Sequence, residues 1–100
     1  MTPPTYPELA GRVGVVTGGS RGIGAATCRA LARSGVKVVV NGRDEAAIAA
    51  VVEEIRADGG QAIGVAADCT RAADIERLRD QTEQALGPVD ILAEIGRAHV

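Results

Sequence analysis

Four glycines interrupt the sequence directly after a short apolar run, in the segment Thr17-Gly-Gly-Ser-Arg-Gly-Ile-Gly24. Glycine tolerates positive φ and has no side chain to block a ligand. The spacing therefore permits a tight turn at Gly18, close approach of the backbone to a ligand at Gly22, and close helix packing at Gly24. Free N–H groups in such a loop, with the positive end of the helix dipole, bind phosphate groups. The segment predicts a phosphate-binding loop.

Two arginines and one glycine indicate which dinucleotide this loop would take. Proteins that bind NAD place an Asp or Glu after the second strand, about 20 residues beyond the loop, to accept hydrogen bonds from the ribose. Gly42 occupies that position, Arg43 follows it, and Arg21 lies in the glycine loop. Two guanidinium groups suit the dianionic 2′-phosphate of NADP. We expect NADP to be favoured over NAD, the alternative being that Arg21 and Arg43 are ordinary solvated residues.

The elements that must position these residues alternate regularly. Short apolar runs predict strands covered on both faces at residues 13–17, 36–40, 61–67 and 89–92. Three- and four-residue apolar spacing predicts helices at residues 22–34, 44–58 and 70–86. This alternation gives a parallel sheet, and right-handed crossovers give the strand order 3-2-1-4. The first two helices then cover one face of the sheet and the third covers the other.

Local signals set the ends of these elements. Asp44 and Thr70 are expected to cap the second and third helices. Gly35 follows the first helix, at the position where helices commonly end with a residue in the left-handed conformation. The segment Asn41-Gly-Arg43 is predicted to be the turn after the second strand. The apolar stripe of the third helix is predicted to comprise Ile75, Leu78, Thr82 and Leu86.

Composition excludes several classes of function. The chain has 100 residues, enough for one domain, and 46% of them are hydrophobic while only 1% are aromatic. A formal net charge of −2 gives no basic field for nucleic acid. No run approaches the roughly 18 apolar residues that cross a membrane, and no leader peptide is recognisable, so a cytoplasmic location is expected. Cys28 and Cys69 lack the spacing of metal ligands, so no metal site is expected.

The complete pattern resembles the short-chain dehydrogenase/reductase family, whose loop is Thr-Gly-x-x-x-Gly-x-Gly. Residues 17–24 match every fixed position, and the Arg-Gly-Ile-Gly form is most similar to the 3-oxoacyl-carrier-protein reductase group. The resemblance covers roughly residues 9–92. It implies an α/β fold, a Rossmann-type three-layer doubly wound parallel sheet, truncated here after the fourth strand.

Further site residues follow from this resemblance. Asp68-Cys69-Thr70 is similar to the family's Asp-Val-Thr, in which the Asp side chain and the next backbone N–H contact adenine; the alternative is that Asp68 and Thr70 only cap the third helix. Cys69 is expected to be a wall residue, Cys28 a core residue, and Asp90 a structural hydrogen-bonding residue. The predicted cofactor-binding residues are Gly18, Gly19, Ser20, Arg21, Gly22, Ile23, Gly24, Asn41, Arg43, Asp68 and Cys69.

The resemblance implies an NADP(H)-dependent oxidoreductase that transfers hydride to or from a small carbonyl or alcohol substrate, in a homo-oligomeric parent protein. The family's catalytic Ser and Tyr-x-x-x-Lys lie further along its sequence. Tyr6 and Lys37 lack that spacing, so we expect no catalytic residues in this chain. The alternatives are a non-catalytic dinucleotide-binding module and an inert truncation product.

The last residues depart from the family pattern. After Leu92 the family continues Val-Asn-Asn-Ala-Gly, whereas this chain continues Ala93-Glu-Ile-Gly-Arg-Ala-His-Val100. Its last six residues are what a common sequencing adapter encodes, so we expect read-through of adapter DNA from about Glu94 onward, the alternative being a genuine divergent short protein. The expected organisation is a lead-in at 1–11, a partial dinucleotide-binding domain at 12–92 and a tail at 93–100. An open edge strand and a sheet face under a single helix would leave such a chain marginally stable and a weak NADP binder.

Overall fold

The computed structural model describes residues 7–94 as a four-stranded parallel sheet with helices on both faces. The strands are β1 (Val13–Thr17), β2 (Lys37–Gly42), β3 (Gln61–Ala66) and β4 (Ile91–Glu94). The helices are α1 (Gly22–Arg33), α2 (Glu45–Ala57) and α3 (Ala72–Ala85), preceded by a short 3-10 turn at Pro7–Leu9. The sheet order is β3-β2-β1-β4, so the predicted topology is confirmed.

The core forms two layers because successive valines of the central strands point to opposite faces of the sheet. In β2, Val38 and Val40 pack under α1 and α2, where Cys28 is also buried. Val39 points to the other face and belongs to a smaller cluster with Leu78 of α3. Val38, Val39 and Val40 are all fully buried, which explains a continuous apolar run in place of polar alternation. The predicted placement of the helices and of Cys28 is confirmed.

Asp44 caps α2 as predicted. Its Oδ1 accepts hydrogen bonds from the backbone N–H groups of Ala46, at 3.0 Å, and Ala47, at 3.2 Å. These are two of the donors that the first turn of a helix leaves without a partner. Gly35 has φ of +86°, so the left-handed residue predicted after α1 is also confirmed.

The predicted cap at Thr70 is wrong. Helix α3 begins at Ala72, and Arg71 precedes it without a capping side-chain hydrogen bond. The Thr70 hydroxyl instead donates to Oδ1 of Asp68, at 2.6 Å, and the Thr70 backbone N–H donates to the same oxygen, at 2.9 Å. A local turn around Asp68 therefore uses the polar groups of Thr70 before the helix starts.

The predicted turn after β2 also begins too early. Asn41 and Gly42 continue the strand and pair in register with Val65 and Ala66 of β3. A polar residue extends this buried strand because the Asn41 side-chain amide donates to the carbonyl of Val65, at 3.0 Å. Its hydrogen-bonding groups are thus satisfied inside the sheet, as burial requires.

The α3 side of the sheet is incompletely covered. Leu78 and Thr82 are buried, but Ile75, predicted to belong to the same buried stripe, is 48% exposed. Leu92 pairs in register with Val15, which places it on this face, and it is 59% exposed. Within residues 7–94 no second helix lies over this face, which explains why the stripe is only partly buried.

Strand β4 begins at Ile91, two residues later than predicted, and ends at Glu94. Ala93 and Glu94 pair with Val16 and Thr17 of β1. The remaining residues of the predicted tail, 95–100, lie outside the described part of the chain. Among residues 7–94, none of the helices combines the length and apolarity needed to cross a bilayer.

Candidate functional site

The glycine loop lies at the carboxyl edge of the sheet, between the end of β1 at Thr17 and the start of α1 at Gly22. Gly18 has φ of +68° and Gly22 has φ of +52°, a region of backbone space that side chains strongly disfavour. Nothing lies within 4 Å of the position that a Cβ of Gly22 would occupy. The backbone at Gly22 is therefore exposed and has open space beside it.

Gly24 has the opposite environment. A Cβ at Gly24 would overlap the carbonyl group of Gly18 and lie 2.9 Å from the Cα of Gly19. The first turn of α1 therefore packs directly on the loop backbone, the close packing that the sequence predicts at Gly24. The loop conformation depends on this contact.

The loop is also fixed to its neighbours through Gly19. Its backbone N–H donates to the carbonyl of Asn41, at 2.8 Å, and the Cys28 thiol lies 3.6 Å from its carbonyl oxygen in a long hydrogen bond. A Cβ at Gly19 would lie 2.9 Å from the Cys28 sulfur. Gly19 therefore serves the packing of the loop between α1 and the end of β2.

A cleft of about 490 Å³ opens in front of the loop, bounded by the ends of β1, β2 and β3. It is lined by Thr17, Gly18, Ser20, Arg21, Asn41, Gly42, Arg43, Asp44, Ala67, Asp68, Cys69 and Thr70. Seven of the eleven predicted cofactor-binding residues line it. Of the other four, Gly19 and Gly24 are buried in the loop packing, whereas Gly22 and Ile23 are exposed beside it.

Asn41 forms the floor of the cleft. It is 2% exposed, and its amide nitrogen donates to the carbonyls of Val65, at 3.0 Å, and Ala67, at 3.3 Å. Its Oδ1 accepts a hydrogen bond from the Cys69 thiol, at 3.3 Å. The residue thus joins β2 to the chain leaving β3. Sequence reasoning placed Asn41 in the site but missed this role, although a polar residue ending an apolar run is a signal for it.

Each arginine of the cleft is paired with a carboxylate. Arg21 Nη2 lies 2.7 Å from Asp44 Oδ2, and Arg43 Nη2 lies 3.0 Å from Asp68 Oδ1. The side chains of Arg21 and Arg43 are 73% and 71% exposed. Exposed pairs of this kind contribute about 0–1 kcal/mol, so a bound phosphate can take either guanidinium at low cost.

The carboxylates of the cleft are held in their charged forms. Hydrogen bonds from the Thr70 hydroxyl and backbone N–H lower the pKa of Asp68 to about 2, with the Arg43 charge adding to them. The Ala47 backbone N–H, followed by the Arg21 guanidinium, lowers the pKa of Asp44. Both groups therefore carry a negative charge at neutral pH.

Neither cysteine is an activated nucleophile. Burial raises the pKa of the Cys28 thiol to about 11. Burial, together with nearby carboxylates of which Asp68 is the strongest, also raises the pKa of the Cys69 thiol. A thiol needs a lowered pKa to react readily at neutral pH. Within residues 7–94, no group of three His, Cys, Asp or Glu side chains is placed to hold a metal ion.

Sequence reasoning missed two carboxylates that shape the site. Asp44 was predicted only as a helix cap, yet it also lines the cleft and pairs with Arg21. Asp74, on the first turn of α3, accepts a hydrogen bond from the Asp68 backbone N–H, at 2.7 Å. Side-chain partners across separate elements leave no periodic signal in the sequence, so only the three-dimensional arrangement reveals them.

Comparison with known proteins agrees with this geometry. The family model described as short chain dehydrogenase matches residues 12–96. The chain belongs to the short-chain dehydrogenase family. The matched residues include the glycine loop and all four strands, and the resemblance expected from the sequence is confirmed.

Individual members of the family are similar over most of this chain. A 3-oxoacyl-[acyl-carrier-protein] reductase of a Synechocystis species is 46% identical, over 84% of this chain and 34% of its own length. A solved hydroxysteroid dehydrogenase from Escherichia coli superposes with a TM-score of 0.84 at 36% identity, covering 86% of this chain and 37% of that one. A metagenomic short-chain oxidoreductase solved in complex with NADP superposes with a TM-score of 0.78 at 42% identity, covering 83% of this chain and 38% of that one. The chain spans about a third of the length of the curated relatives it matches.

Proposed function

We propose that this chain is the cofactor-binding part of an NADP(H)-dependent oxidoreductase that interconverts a carbonyl and an alcohol. The observation that carries the proposal is the end of β2. Gly42 stands where a carboxylate would bind the ribose of NAD, Arg43 follows it, and Arg21 lines the same cleft. Guanidinium groups recognise phosphate through charge-assisted hydrogen bonds, so this arrangement favours the 2′-phosphate of NADP.

The remaining residues of the cleft suit the other parts of the dinucleotide. The loop from Gly18 to Gly22 leads into the N-terminus of α1, where the helix dipole and the N–H groups of the first turn favour the pyrophosphate. The family resemblance implies that the Asp68 side chain and the backbone N–H of Cys69 contact adenine, and both residues line the cleft. The side chain of Ser20, in the glycine loop, lies against Gly42 at the end of β2. A Cβ on residue 42 would lie 2.7 Å from the Ser20 Oγ, so a side chain there would crowd Ser20.

A related protein supports the choice of cofactor. The metagenomic short-chain oxidoreductase, 42% identical to this chain, is described in complex with NADP. When bound, the cofactor supplies the hydride carrier of the reaction. This chain's own part is to bind the adenine nucleotide and the pyrophosphate. We assign the binding of a small carbonyl or alcohol substrate and the proton transfer to other regions of the whole protein. We propose that the whole protein is a homo-oligomer and is located in the cytoplasm.

The proposal is tested by titrating the full chain with NADPH and with NADH, following binding by calorimetry. A charge-assisted hydrogen bond contributes about 1.5–3 kcal/mol, so we expect NADPH to bind roughly 10- to 100-fold more tightly. Arg43→Ala is expected to remove most of this preference, whereas Arg79→Ala, on the exposed surface of α3, leaves it unchanged. Equal affinity for the two cofactors, or a preference unaffected by Arg43→Ala, would overturn the NADP assignment.

A further inference from the structure

The charges that line the cleft cancel. Within residues 7–94, the lining contains two guanidinium groups, from Arg21 and Arg43, and two carboxylates, from Asp44 and Asp68. A site built only to attract a dianionic phosphate would carry a net positive charge. Because each arginine is paired with a carboxylate, the positive potential that a 2′-phosphate meets in the cleft is lowered.

Building on the proposed function, we propose that Asp44 is a specificity-determining residue that weakens the preference for the 2′-phosphate and so keeps NAD usable. Its two carboxylate oxygens have separate partners. Oδ1 accepts the backbone N–H groups of Ala46 and Ala47, and Oδ2 pairs with Arg21, at 2.7 Å. One side chain thus occupies both the free amides of the α2 N-terminus and one of the two cleft arginines.

The side chain of Asp68 is less exposed than that of Asp44. Its Oδ1 accepts the hydroxyl and backbone N–H of Thr70 in addition to the Arg43 guanidinium. Its side chain is 29% exposed, against 46% for Asp44. Asp68 is therefore tied to the turn before α3, whereas Asp44 presents its charge more openly to the cleft beside residues 42 and 43.

The two dinucleotides meet this carboxylate differently. A 2′-phosphate must displace Asp44 from Arg21 and then lie near a negative charge, which opposes binding. A ribose 2′-hydroxyl can instead donate a hydrogen bond to the carboxylate. Both effects shift selection in the same direction, away from the phosphate and towards the hydroxyl.

The test uses two ligands that differ only in the 2′-phosphate, adenosine 2′,5′-bisphosphate and adenosine 5′-monophosphate, titrated by calorimetry into the full chain. In Asp44→Asn the amide oxygen keeps the helix cap while the charge is lost, since Asn caps about as well as Asp. We expect the ratio of the two affinities to rise about three- to tenfold in favour of the bisphosphate, because the opposing charge is gone and Arg21 is released. Asp44→Ser also keeps a capping side chain and removes the charge, so it is expected to give the same shift. It replaces Asp44→Asn if that variant folds poorly.

Asp58→Asn is the matched control, because it removes the same charge just after the opposite end of α2. That end lies about 20 Å from Asp44 along the helix, well beyond the screening length of about 8 Å at physiological ionic strength. An unchanged ratio in both Asp44 variants overturns the inference, and a lower ratio shows that Asp44 orients Arg21 for the phosphate instead. If the unaltered chain binds neither ligand, or binds both equally, the proposed function itself fails and the role of Asp44 falls with it.

Discussion

Val13 and Asp90 exchange two hydrogen bonds across the start of the β1–β4 pair. The Asp90 backbone N–H donates to the Val13 carbonyl, at 2.9 Å, and the Val13 N–H donates to Asp90 Oδ2, also at 2.9 Å. Val13 is 3% exposed, so its N–H has little access to water. The carboxylate therefore continues the ladder of the sheet by one pair, before regular pairing begins at Gly14 and Ile91. The structural role expected for Asp90 is confirmed.

Asp90→Ala is expected to lower the free energy of unfolding by about 1–3 kcal/mol, because it leaves the Val13 N–H buried without a partner. Asp90→Asn keeps an oxygen that can accept the Val13 N–H, so its free energy of unfolding is expected to fall by less than that of Asp90→Ala. Urea denaturation followed by circular dichroism measures both, with Asp80→Ala on the exposed face of α3 as the control. Equal denaturation midpoints for Asp90→Ala and Asp80→Ala would show that the carboxylate does not support the sheet.

Alanine at two glycines of the loop is expected to lower stability for different reasons and by different amounts. Gly24→Ala forces a Cβ into the Gly18 carbonyl, and relieving that overlap is expected to cost about 3 kcal/mol of stability. Gly22→Ala meets no neighbouring atom and incurs only the left-handed backbone penalty, about 1–2 kcal/mol. The added methyl group stands in open space at the start of α1, where the pyrophosphate is proposed to bind, so NADPH binding is expected to weaken beyond what the loss of folded protein explains. Thermal melts and calorimetry on the same samples separate the two effects.

Asp68 is expected to make part of the stability depend on pH. Its pKa lies at about 2 in the folded chain, against about 3.9 for an unfolded Asp, so its contribution is present above pH 4. That contribution is lost as pH falls from about 4 towards 2, where the carboxylate takes up a proton in both states. Asp68→Asn is therefore less stable than the unaltered chain at pH 7, and the difference narrows towards pH 2. A difference that stays constant over this range would exclude the charged hydrogen bonds as its source.

The two thiols are expected to label at different rates. Cys28 is fully buried and its pKa is raised to about 11, whereas Cys69 is only partly buried in the cleft wall. An alkylating reagent at pH 7.5 is expected to modify Cys69 first, and Cys28 only after denaturation, as mass spectrometry of tryptic peptides reports. NADPH is expected to slow the labelling of Cys69 but not that of Cys28. Simultaneous modification of both thiols would show that the α1 packing opens in solution.

The fold could be predicted from the sequence because its signals are local and repeated. The valine runs of β1 and β2, the apolar face of α2 and the glycine loop each specify one element. Right-handed crossovers, together with the dinucleotide-binding form of the loop, favour the observed sheet order. Asp44 also capped α2 as expected, because capping depends on residues two and three positions away. Such short-range relationships can be predicted without knowing which elements pack against one another.

Relationships between distant segments could not be predicted in this way. Thr70 is a local exception: it was expected to cap α3, but it bonds to Asp68 two residues earlier, and both choices fit the same short segment. Asn41 was expected in a turn, but a side-chain bond to a strand 24 residues away extends β2. The pairing of Arg21 with Asp44 spans 23 residues. The contacts of Asn41 and Arg21 depend on which chain segment lies alongside, and this is known only once the sheet is assembled.

The floor and the charges of the cleft differ in how freely they move. Asn41 is buried and bonded to two carbonyls of the neighbouring segment, and the loop above it is fixed by backbone contacts at Gly19 and Gly24. The groups that a phosphate must redirect are two long, exposed guanidinium side chains, which change rotamer within picoseconds to nanoseconds. A nucleotide therefore binds to a preformed groove, and only the side chains of Arg21 and Arg43 need to reorient. Its capture is expected to follow a single exponential whose rate rises linearly with ligand concentration, with no slow isomerisation before or after the encounter.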